Sequence, residues 1–390
     1  MQGKIGLEEH FALTETLEDS RPFVPVDYWP ELESRLLDIQ KRRIELMDRH
    51  GMQMMILSLN APAIQAIPDT ARAIELARRS NDFLAEEVAK RPDRFQAFAA
   101  LPMQDVDVAC RELERCVKDL GFRGALVNGF SQIDKPESMF YYDLPRFWPF
   151  WSVVEALDVP FYLHPRNPLP SAAQIYEGHP WLLGPTWAFG QETAVHALRL
   201  MASGLFDKHP RLKIILGHLG EGLPYSIWRV DNRNAWVKTP PRYPAKKKLG
   251  DYFRTNFWLT TAGNFRTQTL IDALLEVGAQ FRIVPQLARR FLPLPHERRQ
   301  RASRPVRKEC QIPIQKPPAS YCASNSSQKA LRPSEGAFTG TLTAANKSYD
   351  GTAAASATCA VTGKVGSDAV TCPPAWTIAC SRVSLMKFTA

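Results

Sequence analysis

Glu8, Glu9 and His10 close a short run, Lys4-Ile5-Gly6-Leu7, and two later apolar runs, Asp158-Val159-Pro160-Phe161-Tyr162-Leu163 and Leu212-Lys213-Ile214-Ile215-Leu216-Gly217, end in His164 and His218. Side chains two apart on a strand share a face, so Glu8 and His10 project together and are placed to grip one ion. Mixed carboxylate and imidazole donors suit Zn²⁺, Mn²⁺ or Fe²⁺. One of these histidines alone, or one Glu-x-His triplet, reads as an ordinary polar feature. Their recurrence at three strand ends points to a metal site.

The elements that must position these residues follow from the apolar spacing. After Ile5 to Leu7, candidate strands fall at Met54 to Leu59, Phe95 to Leu101, Gly124 to Val127, Val159 to Leu163, Lys213 to Leu216 and Phe257 to Thr260, seven in all. Amphipathic stretches separate them, at Thr70 to Lys90, Val106 to Leu120, Glu192 to Phe206 and Thr267 to Val277; their three- and four-residue spacing predicts helices. Alternating strands and helices predict a parallel α/β fold. Functional groups gathered at strand ends predict a (β/α)8 barrel with its site on the C-terminal face. Pro-rich stretches at Arg166 to Pro170 and Pro240 to Pro244 read as active-site loops or as simple turns.

Composition divides the chain. Of 49 Lys+Arg and 40 Asp+Glu, residues 281–390 hold 16 and 5, and residues 1–280 hold 33 and 35. The basic pI of about 9.2 therefore belongs to the tail, and designed nucleic-acid binding is not expected of the whole. Cysteine is split too, with Cys110 and Cys116 in the first part and Cys310, Cys322, Cys359, Cys372 and Cys380 in the tail. Two thiols in the first part, six residues apart and off a common helix face, read as separate free thiols in a reducing compartment. With no basic start followed by an apolar stretch and no run long enough to span a bilayer, a cytoplasmic protein with no membrane contact is expected.

The alternation stops near Gln280. Phe281 to Val284 offers an eighth strand, but Pro285 follows, and residues 285–337 read as a basic, Pro/Arg-rich disordered linker. From Phe338 the composition turns to Thr, Ala, Ser and Val with turn residues, predicting a small β-rich segment over 338–390. The expected organisation is a barrel over 1–284, that linker, and that segment.

Several motifs carry a resemblance. Leu7-Glu8-Glu9-His10-Phe11, Ile56-Leu57-Ser58-Leu59-Asn60-Ala61-Pro62, Gly124-Ala125-Leu126-Val127-Asn128-Gly129-Phe130, Tyr162-Leu163-His164-Pro165-Arg166-Asn167-Pro168 and Gly217-His218-Leu219-Gly220-Glu221-Gly222 resemble the γ-resorcylate (2,6-dihydroxybenzoate) decarboxylases of the amidohydrolase superfamily. The likeness runs from Met1 to Ala279. It implies a (β/α)8 barrel assembled as a homotetramer that removes CO₂ from an ortho-hydroxylated benzoate without oxidation. It makes Glu8, His10 and His164 ligands of one divalent metal, Zn²⁺ or Mn²⁺, with no organic cofactor. It makes His218 and Glu221 a catalytic pair, and it places Phe23, Asn128, Phe189, Arg229 and Asn234 around the substrate. The chemistry fits: direct loss of CO₂ would leave an aryl anion, so the ring carbon must first be protonated by a positioned acid.

The chain departs from that pattern at its eighth strand. There the family carries an Asp, in a Phe-Ser-Thr-Asp-Trp-like segment, that serves as acid and ligand; here the sequence reads Pro285-Gln286-Leu287-Ala288, and the next acid is Glu297. So abrupt a loss of similarity is what a shifted reading frame or a gene fusion near codon 280 would produce. The segment from Leu342 to Thr352, followed by Val361 to Thr371, resembles part of a YDG repeat of bacterial adhesins, with low-complexity Thr/Ala sequence as the competing account. Impaired decarboxylation of 2,6-dihydroxybenzoate is the leading expectation. Decarboxylation of 2,3-dihydroxybenzoate or salicylate, metal-dependent hydrolysis, and an inactive chimera with an adhesin-like tail are the alternatives.

Overall fold

Seven parallel strands succeed one another in chain order: β1 (Lys4–Phe11), β2 (Met52–Leu59), β3 (Phe95–Ala97), β4 (Ala125–Asn128), β5 (Pro160–His164), β6 (Lys213–Leu216) and β7 (Phe257–Leu259). The computed structural model describes residues 4–24, 26–237, 242–277, 339–344 and 357–362. β1-β2-β3 and β4-β5-β6-β7 form two sheets, and a parallel bridge between Ala99 and Ala125 links the end of one to the start of the other. Short bridging after β3 explains why the run Phe95 to Leu101 yields only three strand residues.

The sequence forms these strands as short apolar runs that are buried almost without a break from β2 to β7, as a parallel sheet covered on both faces requires. Leu7, Ile56, Phe98, Leu126, Tyr162, Ile215 and Trp258, one from each strand or its immediate continuation, make a single interior cluster. That is the filled-core layer of a barrel, not a pore. The expected barrel is thus present, and among the described residues β1 and β7 end the strand order. Phe281 to Val284, the candidate for an eighth strand, lies outside the described residues, as do the linker and the boundary read at 284.

Helices start where the sequence supplies caps. Asp69 accepts the Arg72 N–H at 2.8 Å at the head of Thr70–Lys90, and Asp105 accepts the Val108 N–H at 2.9 Å at the head of Val106–Lys118, each cap contributing about 1 kcal/mol. One expectation is corrected: the stretch Glu192 to Phe206 is two helices, Ala188–Ala202 and Leu205–Lys208. Gly204 between them sits at φ +83°, a left-handed conformation that ends a helix readily only at glycine. Cys116 is buried, Cys110 is half-buried, and both are free thiols.

The chain divides into two units, Met1–Pro295 and His296–Ala390. In the second, β8 (Thr339–Ala344) and β9 (Ala357–Thr362) pair antiparallel, and the rest of the expected β-rich segment lies outside the described residues. Tyr349-Asp350-Gly351 lies outside the described residues.

Candidate active site

β1 brings Glu8 and His10 to the barrel mouth through an irregularity. Gly6 pairs with Met55 and Glu9 with Leu57, so three residues of β1 span two of β2. Such a bulge re-aims side chains: Leu7 packs into the interior cluster, yet Glu8, its neighbour, also reaches inward to His164 and His218. His164 ends β5, and His218 follows β6 after Gly217.

The ligand atoms of Glu8, His10 and His164 lie within 4.8 Å of one another. His10 Nε2 and His164 Nε2 face each other at 3.0 Å, their rings edge to face. Glu8 Oε1 is 3.4 Å from His164 Nε2 and 3.2 Å from His218 Nε2. His10 Nδ1 is 3.2 Å from the buried Ser58 hydroxyl, which leaves Nε2 for the cluster. Two imidazole nitrogens turned toward each other beside a carboxylate suit a shared cation, and a hydrogen bond on the outer ring nitrogen of a ligating His is the usual companion of such a role.

Electrostatics agree with that donor set. Burial, helped by neighbouring His164, pushes His10 down to about 3, so its imidazole is neutral. Burial also works to raise the Glu8 carboxyl, but the hydrogen bonds with His164 and His218 outweigh it and hold Glu8 well below the usual carboxylate range. For His218 burial acts downward, and the bonds to Glu221 and Glu8 prevail, lifting it to about 11.

His218 Nδ1 is 2.6 Å from Glu221 Oε1, forming the expected pair. The turn that presents it is unusual: His218, Leu219, Gly220, Glu221 and Gly222 all have positive φ, from +52° to +87°. The three non-glycine residues cost about 1–3 kcal/mol each in that region. They are held by Leu219 N–H donating to Thr260 O at 2.8 Å and Gly220 N–H donating to Gly217 O at 2.7 Å. Gly263 closes the other side, since a Cβ there would lie 2.6 Å from His218 Cδ2.

Among the expected substrate contacts, Asn128 is in register with His164 on the adjacent strand, buried, with its Nδ2 donating to Asn60 O at 3.1 Å. Phe189 lines a cavity of about 670 Å³ with Arg166, Asn167, Pro62 and Tyr176. Phe23 ends the turn Leu17–Phe23, and its side chain lies outside what is described. Arg229 and Asn234 are not drawn into the cluster. Arg229 is exposed on the helix Leu223–Asn234, and Asn234 lines a separate concavity with Arg242, Tyr243 and Lys246.

Residues the sequence reading passed over also meet here. Ser58 interrupts an apolar run and is directly in register with His10. Tyr162, two residues before His164, shares its face and donates its hydroxyl proton to Glu8 Oε2. Arg166 is buried, its guanidinium 3.9 Å from the Phe130 ring centroid and donating to Phe130 O at 2.8 Å. A polar residue at strand parity with a ligand was the available signal for the first two.

Known proteins resemble this chain closely. The amidohydrolase family model matches residues 25–284. A γ-resorcylate decarboxylase of Polaromonas sp. is 74% identical over 279 residues, spanning 72% of this chain and 86% of the relative. A crystal structure of a dihydroxybenzoic acid decarboxylase from Polaromonas sp., with bound manganese and the inhibitor 2-nitroresorcinol, superposes with a TM-score of 0.70 at 73% identity, covering 73% of this chain and 85% of that one. A 2,6-dihydroxybenzoate decarboxylase complexed with 2,6-dihydroxybenzoate gives a TM-score of 0.71 at 73% identity, covering 73% and 87%. No described helix is long and apolar enough to cross a membrane.

Proposed function

Because the chain belongs to the amidohydrolase family, we propose that it catalyses the metal-dependent, non-oxidative decarboxylation of 2,6-dihydroxybenzoate to resorcinol and CO₂, a reaction reversible as carboxylation. The observation that carries this reading is the convergence of Glu8, His10 and His164 within 4.8 Å, with the His218–Glu221 pair joined to it through Glu8 at 3.2 Å. The likeness to relatives that decarboxylate this substrate supports it.

Glu8, His10 and His164 would hold one divalent cation, Zn²⁺ or Mn²⁺. Bound there, it would supply Lewis acidity and a template for the substrate; the manganese in a close relative favours Mn²⁺. Glu221, on Nδ1, fixes the His218 ring so that Nε2 faces the cluster. From there His218 orients the substrate's ortho hydroxyl. Asn128, in register with His164, is carried as a substrate contact together with Phe189, Phe23, Arg229 and Asn234 on the resemblance. As the ring carbon gains a proton, the bond to the carboxylate carbon breaks, its electron pair restores the aromatic ring, and CO₂ leaves.

That proton needs a positioned donor. The family's eighth-strand Asp has no counterpart in Pro285-Gln286-Leu287-Ala288, so solvent water must supply the proton and turnover is slow. We further place the enzyme in the cytoplasm as a homotetramer. The exposed aromatic residues Tyr225 (85%), Trp228 (67%) and Trp236 (71%), on and just beyond one helix, support assembly. The adhesin-like tail, like the barrel, linker and tail limits, is carried from the sequence alone.

The test is a substrate panel of 2,6-dihydroxybenzoate, 2,3-dihydroxybenzoate and salicylate with product identification. Resorcinol from the first, with little turnover of the others, supports the reading; preferred turnover of either other acid replaces it.

A further inference from the structure

One member of the interior barrel layer carries a hydroxyl. Tyr162 is fully buried in β5 among Leu7, Ile56, Phe98, Leu126, Ile215 and Trp258, a place that Phe or Leu would fill as well. Its hydroxyl is therefore the informative atom, because a buried phenol needs a partner. Tyr162 donates its single proton to Glu8 Oε2. The Tyr162 oxygen also lies 3.2 Å from Thr260 Oγ1, and with the phenol proton committed to Glu8 it accepts from the Thr260 hydroxyl. Thr260 Oγ1 in turn accepts the Ala262 N–H at 3.4 Å.

Three donors thus form a relay, from the Ala262 N–H to Thr260, from Thr260 to Tyr162 and from Tyr162 to one oxygen of Glu8, rooted in the backbone after β7. Aligned hydrogen bonds of this kind polarise one another. The other oxygen, Oε1, is the one that faces His164 and His218, at 3.4 Å and 3.2 Å. Room for the arrangement comes from Gly217: a Cβ there would lie 2.7 Å from Glu8 Oε2 and 3.0 Å from the Tyr162 hydroxyl.

We propose that Tyr162, backed by Thr260, is a positioning residue of the metal centre: it occupies Glu8 Oε2, so that Glu8 offers a cation one oxygen, Oε1, in a fixed direction. This rests on Glu8, His10 and His164 being the cation's ligands. Tyr162 acts through Glu8 and touches no reacting atom.

The experiment is titration of chelator-stripped, full-length protein with Mn²⁺, read by binding isotherm and by Mn²⁺ electron paramagnetic resonance, with circular dichroism as the check on folding. Tyr162→Phe keeps the packing and removes the hydroxyl; it should bind Mn²⁺ about 10–100-fold more weakly, the usual cost of losing an outer-sphere partner, with an altered resonance lineshape and an unchanged fold. Parental affinity and lineshape in Tyr162→Phe would overturn the inference while leaving the metal centre standing. If that variant fails to fold, Thr260→Val and Thr260→Ser decide: Val weaker and Ser parental supports the chain of donors, and equal affinities overturn it. A parent that binds no Mn²⁺ overturns the metal centre itself and this inference with it.

Discussion

Leu7 and Glu8, adjacent in β1, both face the barrel interior. A regular strand would send them to opposite faces. The bulge between Gly6 and Glu9 removes that conflict, so Leu7 completes the apolar layer while Glu8 and His10 stand above it at the mouth. The proposed ligands Glu8 and His10 therefore rest on a packed layer, on a strand and not a loop.

Metal removal should expose that dependence. Chelation is expected to abolish activity and Mn²⁺ to restore it, and the cation should also stabilise the fold by about 2.7 kcal/mol when present at a hundredfold excess over its dissociation constant. Thermal melts with and without Mn²⁺ check this; an unchanged melting temperature in the parent would contradict it. His164→Ala should lose both effects.

Glu221 is expected to govern rate more than metal binding. Glu221→Gln weakens its hold on His218 Nδ1, now 2.6 Å away, and should lower kcat by about 100-fold or more while Mn²⁺ affinity changes only a few-fold. Steady-state kinetics beside a Mn²⁺ titration separate the two, and a parallel loss of affinity would place Glu221 in the metal centre instead.

How much of this was legible in the sequence depended on which physical signal each feature leaves. The ends of Thr70–Lys90 and Thr267–Val277 fall where apolar periodicity puts them, and the seven described strands overlap the expected runs, with Phe95 to Leu101 shortened to Phe95–Ala97. Glu8, His10, His164 and His218 were visible because polar residues at the ends of apolar runs are conspicuous, whereas Glu221 was named through the family resemblance. The bulge was not, since two adjacent inward residues leave no mark in a period-two pattern. Tyr162 and Ser58 were hidden because a hydroxyl inside an apolar run reads as core. Arg229 and Asn234, carried on resemblance alone, are the ones the fold leaves apart from the cluster.

His196 supplies a pH test away from the metal. Its Nε2 accepts the Tyr142 backbone N–H at 3.0 Å, and burial, with Arg199 adding to it, lowers it to about 3. A histidine depressed in the folded state below its unfolded value of about 6.5 contributes stability that is fully present above that value and lost as pH falls toward 3. From pH 7 to pH 5 the parent should lose about 2 kcal/mol more than His196→Gln, which keeps an acceptor and does not titrate. Denaturant unfolding at the two pH values measures it; equal losses would mean that His196 is not held neutral.

The apolar layer beneath the site should be costly to disturb. Ile215→Ala, in the interior cluster and fully buried, is expected to cost about 2–5 kcal/mol of stability. A denaturant midpoint unchanged from the parent would argue against a closely filled interior.

Restoring an acid near the eighth-strand position should help. Leu287→Asp or Ala288→Asp is expected to raise the rate, on the order of tenfold. No gain from either would identify barrel closure, not the missing donor, as the main defect.

The most direct measurement is resorcinol formation from 2,6-dihydroxybenzoate by full-length, Mn²⁺-loaded protein, beside His164→Ala and the Polaromonas relative. The account predicts resorcinol at a rate about 10²–10⁴ below the relative's, the usual contribution of a positioned acid, and none above background from His164→Ala. A folded, metal-loaded protein that forms no resorcinol, or a His164→Ala variant that forms it as fast as the parent, would contradict it.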